Sequence, residues 1–483
     1  MPIPASNLPI YLNSALRRDH LSRLSGKTVV FVSPGHPGKR FVFDTAHQLG
    51  IKSVVIDSFG SWTQELTRAG VIESLIELDM CRDEDSIFKE CVTSLSKIGT
   101  IDGICTFVEL SAPLTARLCE HFKVAGHSVS AVASARNKHM TRQAVERTPS
   151  TYMYSIRTFL IQEGTRDELS LAAEKVGFPA VLKPVSGAAS LGVQKVTSLD
   201  ELIATYNSIT ELLSDLVVSS GALERRVRLA NTHESESEST EASAEQFHSN
   251  LSLLSNTSVV LEEYLSGQEV DIDVVLSEGQ ITYCEISDNG PTCEPYFGET
   301  YNNCPSVLSE SDQNELRKMA HSITVDALGF RSGVFHVEAK MCPNGPRLIE
   351  VNCRMGGGPV HTVQLRRSGV DLVVEQLLLS CGLHSKPEAI SPSLRKAVGF
   401  CDVNATKSGC IRHLDFLKGF EQRPGMVYCK PFVNVGEHIV GPEEGQPTWL
   451  AEVVFTRDRS EDAVRDAKDM YLEIQQLFEN HYV

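Results

Sequence analysis

Apolar and polar positions alternate in two different rhythms along this chain, and the change between them divides it. Over the first part, short apolar runs at 28–32, 53–57 and 103–108 alternate with stretches of helical period, one through Gly50 and one over 111–122. Strands that take turns with helices predict a parallel sheet, whose ligands collect at the carboxyl ends of the strands. From about 126 the rhythm changes. A short strand ends in Leu182-Lys183-Pro184, an apolar strand occupies 258–265, and runs at 270–276 and 281–286 flank the turn Ser277-Glu278-Gly279-Gln280 as a hairpin. A helix is predicted over 311–328, closing at Gly329, and an apolar core helix over 369–381. The tail predicts strands near 397–401, 426–428 and 452–456 and an amphipathic helix over 461–480. The expected division is 1–125, 126–390 and 391–483, with no catalytic residue expected in the last. An acidic Ser/Glu tract at about 224–257, too poor in apolar residues to bury anything, reads as a disordered insertion.

The most informative pattern lies at 334–358. In Val334-Phe335-His336-Val337-Glu338 and Leu348-Ile349-Glu350-Val351-Asn352 the period of two puts His336 and Glu338 on one face and Glu350 and Asn352 on one face. The intervening Met341-Cys342-Pro343-Asn344-Gly345-Pro346 is turn chemistry, so Glu338 and Glu350 are expected side by side in a hairpin. Two carboxylates and an amide oxygen beside Arg354 suit magnesium held against phosphate; the plainer alternative is a half-polar edge hairpin. Upstream, Lys183 precedes the small-residue loop 186–192, which lets backbone amides approach a polyphosphate. The loop 33–38 matches no phosphate-binding glycine motif, so a plain turn is expected there. Glu109, at a strand end, reads equally as a substrate-facing group and as a structural one.

Composition narrows the partners. Net charge is −17, from 45 basic and 62 acidic residues, which disfavours bulk binding to nucleic acid or to an anionic membrane. No apolar run approaches the roughly 20 residues that span a bilayer. The 13 cysteines include no Cys-x-x-Cys pair, and the start is polar and arginine-bearing, so reduced thiols and a cytoplasmic location are expected.

The order of the motifs carries more than any one of them. Lys138, then Leu182-Lys183-Pro184, then Leu261-Glu262-Glu263-Tyr264-Leu265-x-Gly-x-Glu269, then Glu338, then Glu350-x-Asn352-x-Arg354 resembles the ATP-grasp superfamily. Arg354-Met355-Gly356-Gly357-Gly358 with Gly369-Val370-Asp371-Leu372 resembles its carnosine synthase and L-amino acid ligase group. The resemblance implies an α/β and α+β protein: an N-terminal Rossmann-like domain, two lobes gripping ATP, and a C-terminal α+β domain. It implies that Lys138 and Lys183 contact ATP phosphates, that Ser190 lies in a closing loop, and that Glu262, Glu263 and Leu265 form a hinge reading adenine, with Glu269 on the ribose. Glu338, Glu350 and Asn352 would hold two magnesium ions, or manganese. Arg354, Lys183 and Glu350 would be catalytic; Glu109, Glu299, Arg354, Gly357 and Gly358 would face substrate.

The implied reaction joins a small carboxylate and an amine, expected to be amino acids, through an acyl phosphate, releasing ADP and phosphate. Two alternatives are an enzyme of the purine-biosynthesis or carboxylase type and a non-catalytic ATP-binding regulator. A homodimer is compatible with the resemblance. This chain has Glu299-Thr300-Tyr301-Asn302 where relatives in the group often carry Glu-x-Gly-His, so Asn302 cannot titrate as histidine does.

Overall fold

The computed structural model describes residues 20–187, 190–214, 216–219, 222–225, 258–442, 444 and 447–481. The predicted acidic insertion falls outside these residues except at its first two positions.

The N-terminal sheet contains β1 (Thr28–Val32), β2 (Lys52–Asp57), β3 (Ser74–Glu77) and β4 (Gly103–Cys105), parallel throughout in the order β3-β2-β1-β4. Its apolar runs are continuous because both faces are covered. Val29 and Phe31 pack with the helix Leu372–Ser380, while Val30 and Val32 pack with Ile87, Leu95 and Leu118 on the other side. The helix from the middle of the chain thus belongs to the first domain's core and ties the two together.

A second sheet is formed by β5 (Thr158–Ile161), β6 (Ala180–Pro184), β7 (Gln194–Val196) and, after the small hairpin of β8 (Leu216–Ser219) and β9 (Ala222–Arg225), by β10 (Val259–Glu263). Their order is β5-β10-β6-β7, antiparallel. The pairings Val260↔Lys183 and Glu262↔Val181 set Lys183 and Glu262 diagonally on one face.

The largest sheet has eight strands, β11 (Gln268–Ser277), β12 (Gln280–Asn289), β13 (Tyr301–Cys304), β14 (Gly333–Cys342), β15 (Gly345–Asn352), β16 (Ala397–Asn404), β18 (Met426–Pro431) and β20 (Trp449–Arg457). The short β17 (Gly409–Cys410) and β19 (His438–Ile439) pair with each other. The order β15-β14-β11-β12-β13-β16-β20-β18 makes the C-terminal segment continuous with the middle of the chain through β13 and β16. The final helix, Ser460–His481, lays Ala463, Ala467, Met470, Ile474 and Phe478 on that extension, a spacing of three or four residues that gives one apolar stripe.

The helix expected over 311–328 is α-helical over Glu310–His321 and widens to a π-helix over Ser322–Ala327, a register the apolar pattern does not distinguish. Among the described residues no helix is long and apolar enough to cross a membrane, and all 13 cysteines are free.

Candidate active site

The predicted hairpin forms. β14 and β15 are joined by a two-residue turn, and Glu338 lies directly opposite Glu350 and His336 opposite Asn352. Asn352 Nδ2 donates to Glu338 Oε1 at 3.1 Å and to Glu350 Oε1 at 3.2 Å. The other oxygen of Glu350 meets Lys138 Nζ at 3.0 Å. Lys138 is placed by the helix Lys138–Arg147, whose N-cap Asn137 accepts from the Met140 amide. The two carboxylates are therefore unequal. Burial raises Glu350, but Lys138, Lys183 and Asn352 together outweigh it and hold the group at about 2. Burial and then the facing Glu350 charge push Glu338 well above the ordinary carboxylate range. A cation between them would remove that penalty.

A second charged group underlies the hinge. Lys183 Nζ lies 2.5 Å from Glu262 Oε2, and Arg142 grips the same carboxylate through Nε at 2.7 Å and Nη2 at 3.0 Å. All three are buried. Burial raises Glu262, but Arg142 and Lys183 together hold it at about 2. Burial lowers Lys183 from its ordinary value. With Glu262 ionised, two cations share one anion, and the surplus positive charge faces the cavity where a phosphate would neutralise it. The Glu262 side chain is thus an anchor for Lys183 rather than a contact of its own. Glu263 is likewise committed, to Arg157 Nη2 at 2.9 Å, and the amides of Glu263 and Tyr264 donate to Arg157 O and Pro179 O.

Arg354 is held by the N-terminal domain. Its Nε lies 2.9 Å from Glu109 Oε2, its Nη1 donates to Met355 O at 2.8 Å and its Nη2 to Asn352 Oδ1 at 3.3 Å. Glu109 Oε1 accepts from Arg136 Nη1 at 3.0 Å. Glu109 lines the cavity, but both its oxygens are spent on arginines, so it acts on Arg354 and not on a ligand directly. Glu269 also lines the cavity, 3.2 Å from Lys340 Nζ. Ser190 stands at a turn with φ +54°, and Leu265, Gly357 and Gly358 complete the lining.

These groups surround one cavity of ≈540 Å³ at the meeting of the three sheets. It holds every sequence-predicted site residue, Glu299 included. Glu299 O accepts from Asn404 Nδ2 at 2.7 Å, and its carboxyl lies against Asp402. Burial and then the Asp271 charge push Glu299 up to about 7, against the lowering effect of the His336 charge. Asn302 is buried and donates to Asp402 Oδ2 at 3.2 Å, so it positions that carboxyl. His361, three residues past the glycines, stacks on Phe41 at 4.3 Å between centroids and bonds Asp371 Oδ1 at 3.1 Å, outside the cavity lining.

Several lining residues had no signal in the sequence. Lys39, the residue after the turn read as plain, donates to Phe107 O; burial, then the Arg354 charge, lower it to about 7. His336 sits 2.9 Å from Asp273 Oδ1 and 3.8 Å from Asp271 Oδ2. Burial would lower it, but those carboxylates hold it up to about 10. Its position beside Glu338 was legible; its partners, from β11, were not. Phe400, Asp402, Asn404 and Trp449 come from the C-terminal strands, where no site residue was expected.

Glu338 and Glu350 offer carboxylate oxygens, which fit magnesium or manganese completed by substrate phosphates; Asn352, with its Nδ2 toward both carboxylates and its Oδ1 toward Arg354, would add an oxygen by turning its amide. Among the described residues no group of three His, Cys, Asp or Glu side chains forms a cage sufficient by itself.

Residues 219–363 match the ATP-grasp domain family and residues 43–123 the ATP-grasp N-terminal domain family. Carnosine synthase 1 of Gallus gallus is 29% identical over 439 residues, covering 89% of this chain and 43% of that protein. Alanine–anticapsin ligase of Bacillus subtilis is 25% identical over 313 residues, 62% of this chain and 58% of that one. The chain therefore spans less than half the length of the carnosine synthases and under two thirds of the anticapsin ligase. An L-amino acid ligase structure from Bacillus licheniformis superposes with a TM-score of 0.69 at 19% identity, over 93% of this chain and 98% of that one. The fold is the ATP-grasp fold.

Proposed function

We propose that this chain, built on the ATP-grasp fold with matched ATP-grasp and N-terminal domains, is an ATP-dependent ligase joining a carboxylate to an amine with release of ADP and phosphate. One observation carries the reading: Glu338 and Glu350 face each other within reach of Lys138, in the same cavity as Lys183 and Arg354. Relatives that are named ligases of carnosine synthesis and of alanine to anticapsin support it.

Bringing a polyphosphate to a carboxylate concentrates negative oxygens, and the barrier falls only if fixed positive charge waits for them. Magnesium held by Glu338, Glu350 and Asn352 would neutralise the phosphate oxygens on one side. On the other, Lys183 presents the charge left over from its triad with Arg142 and Glu262. Lys138 bridges the two regions through Glu350. Adenine would lie against the hinge, read by the Glu263 carbonyl and the Leu265 amide, since the Glu263 and Tyr264 amides are already used. Arg354, aimed by Glu109, orients the acceptor carboxylate and stabilises the transferring phosphoryl group. The loop containing Ser190 excludes water from the acyl phosphate before an amine attacks it.

The test is ADP and phosphate release against a matrix of small acids and amines, with mass spectrometry of the products. Release that needs two substrates together, with a product lighter than their sum by one water, is the expected result. Glu350→Gln and Arg354→Ala are expected to lower turnover by about 10² or more, as removal of a transition-state charge contact does. Near-normal turnover in both variants overturns the assignment.

A further inference from the structure

The sheet β5-β10-β6-β7 belongs to a lobe with a core of its own. Among the described residues its apolar cluster is drawn from 159–213 and 259–261 alone, with Leu169 and Leu202 of the covering helices joined to Leu182, Val259 and Leu261. Polar contacts connect this lobe to its surroundings. Arg142 holds Glu262, the Lys138 amide donates to Val185 O at 2.9 Å, and Arg136 Nη1 donates to Gly187 O at 3.1 Å. A lobe with a separate core and a polar seam can shift as a unit about the hinge at 262–265.

The far edge of that sheet is held from outside. β7 is the edge strand opposite β5, and its Lys195 amide donates to Pro295 O at 3.2 Å. Lys195 Nζ lies 2.7 Å from Glu294 Oε2, and Tyr264 Oη, just past β10, donates to Glu294 Oε1 at 2.7 Å. The same ammonium stands 4.2 Å from the centre of the Tyr264 ring. Burial raises Glu294, but Lys195 and Tyr264 outweigh it and hold the carboxyl below its ordinary range. One carboxylate thus binds the far edge of the lobe and its hinge at once. Glu294 and Pro295 lie between β12 and β13 in a segment folded back on itself: the Cys293 amide donates to Gly298 O at 2.8 Å and Thr300 Oγ1 to Pro291 O at 2.9 Å. Phe297, Gly298 and Glu299 of that segment line the cavity.

Resting on the ligase reading above, we propose that Lys195, Glu294 and Tyr264 form a clasp that makes the nucleotide lobe and the segment 290–301 move together, so that closure on the nucleotide sets the pocket wall at Glu299. All three are positioning residues, acting through the backbone they hold. A half-exposed ion pair alone contributes little. Here the carboxylate is shared by an ammonium and a phenol, and the ammonium also rests on the phenol's ring, so removing one member loosens the other two. The coupling is reciprocal: a ligand that favours the clasped segment tightens nucleotide binding by the same factor.

The experiment reads the coupling without turnover. The full chain with magnesium is loaded with N-methylanthraniloyl-ADP, and dissociation is followed by stopped-flow fluorescence. Hydrogen exchange, read by mass spectrometry, follows the segment 290–301 with and without ADP. Lys195→Met and Glu294→Gln should each release the nucleotide about 3-fold faster or more, and the double variant no faster than the quicker single one. Lys195→Arg, which keeps the charge, should stay close to the parent. ADP should slow exchange of the segment in the parent, and both neutral variants should lose that protection while circular dichroism and melting temperature show them folded. Unchanged dissociation in both folded variants, or protection that is absent from the parent or survives in the variants, overturns the clasp and leaves the ligase. No ADP binding by the parent overturns both, whereas coupled release and protection without any amide product would sink the ligase and leave the clasp.

Discussion

Lys39 shows how much of this site depends on single side chains in unmarked places. Its turn fits no phosphate-binding pattern, yet the amine ends beside Arg354 and Glu109, lowered to about 7 by burial and then by the Arg354 charge. The sign of its effect on stability follows. Between about pH 7 and the ordinary lysine value of 10.5 the unfolded chain holds a proton that the folded chain lacks, so Lys39 favours folding increasingly as pH rises through that window. Below pH 7 the folded protein carries a buried, crowded ammonium and its cost is fully present. Lys39→Met keeps the aliphatic stem and should raise the melting temperature by about 2–4 °C at pH 6, with the gain fading toward pH 10. Scanning calorimetry at the two pH values checks it, and a gain that grows with pH would contradict the assignment. Glu338, by contrast, was legible residue by residue, because period-two alternation and a local turn suffice to pair it with Glu350.

Among elements, the loop leaving β15 is the most constrained. Arg354 is followed by three glycines, and they are not equivalent. At Gly356 an added methyl would lie 2.7 Å from His336 Nδ1 and 2.7 Å from Val360 Cγ2, so the backbone must run against the imidazolium. At Gly357 nothing lies within 4 Å. At Gly358 the backbone is left-handed, φ +50°, which favours glycine. Gly356→Ala should displace the loop and Arg354 with it, lowering turnover by roughly 10-fold or more, as small misplacements of catalytic groups do. Gly357→Ala, in open space, should fold normally and spare nucleotide affinity. Steady-state kinetics beside nucleotide titration separates the two, and equal turnover in parent and Gly356→Ala would refute the packing argument. The run of glycines is plain in the sequence; the reason for the first is not, because it is a histidine on a different strand.

At the scale of the whole molecule, the C-terminal segment is not an appendage. β16 pairs with β13 on one side and β20 on the other, extending the sheet that begins at β15. A chain ending at residue 390 would open the edge of β13 and expose Cys304, Val363 and Tyr301, which pack against the C-terminal strands. Such a truncation should aggregate or lose its cooperative melt, whereas two separable domains would leave 20–390 monodisperse and folded by size exclusion and circular dichroism. By itself the sequence determined the parallel first sheet, the central hairpin with its two carboxylates, Lys183 at its strand end and the order of motifs. These rest on local periodicity, turn chemistry and spacing. Only the tertiary structure decided that Glu262 anchors Lys183 and Arg142, that Glu109 aims Arg354 from the first domain, and that Asp402 and Trp449 line the cavity. Those contacts join residues distant in the chain, 79 positions apart for Lys183 and Glu262 and 245 for Glu109 and Arg354, and which strand face meets which is set by how the sheets dock, a choice no local pattern encodes.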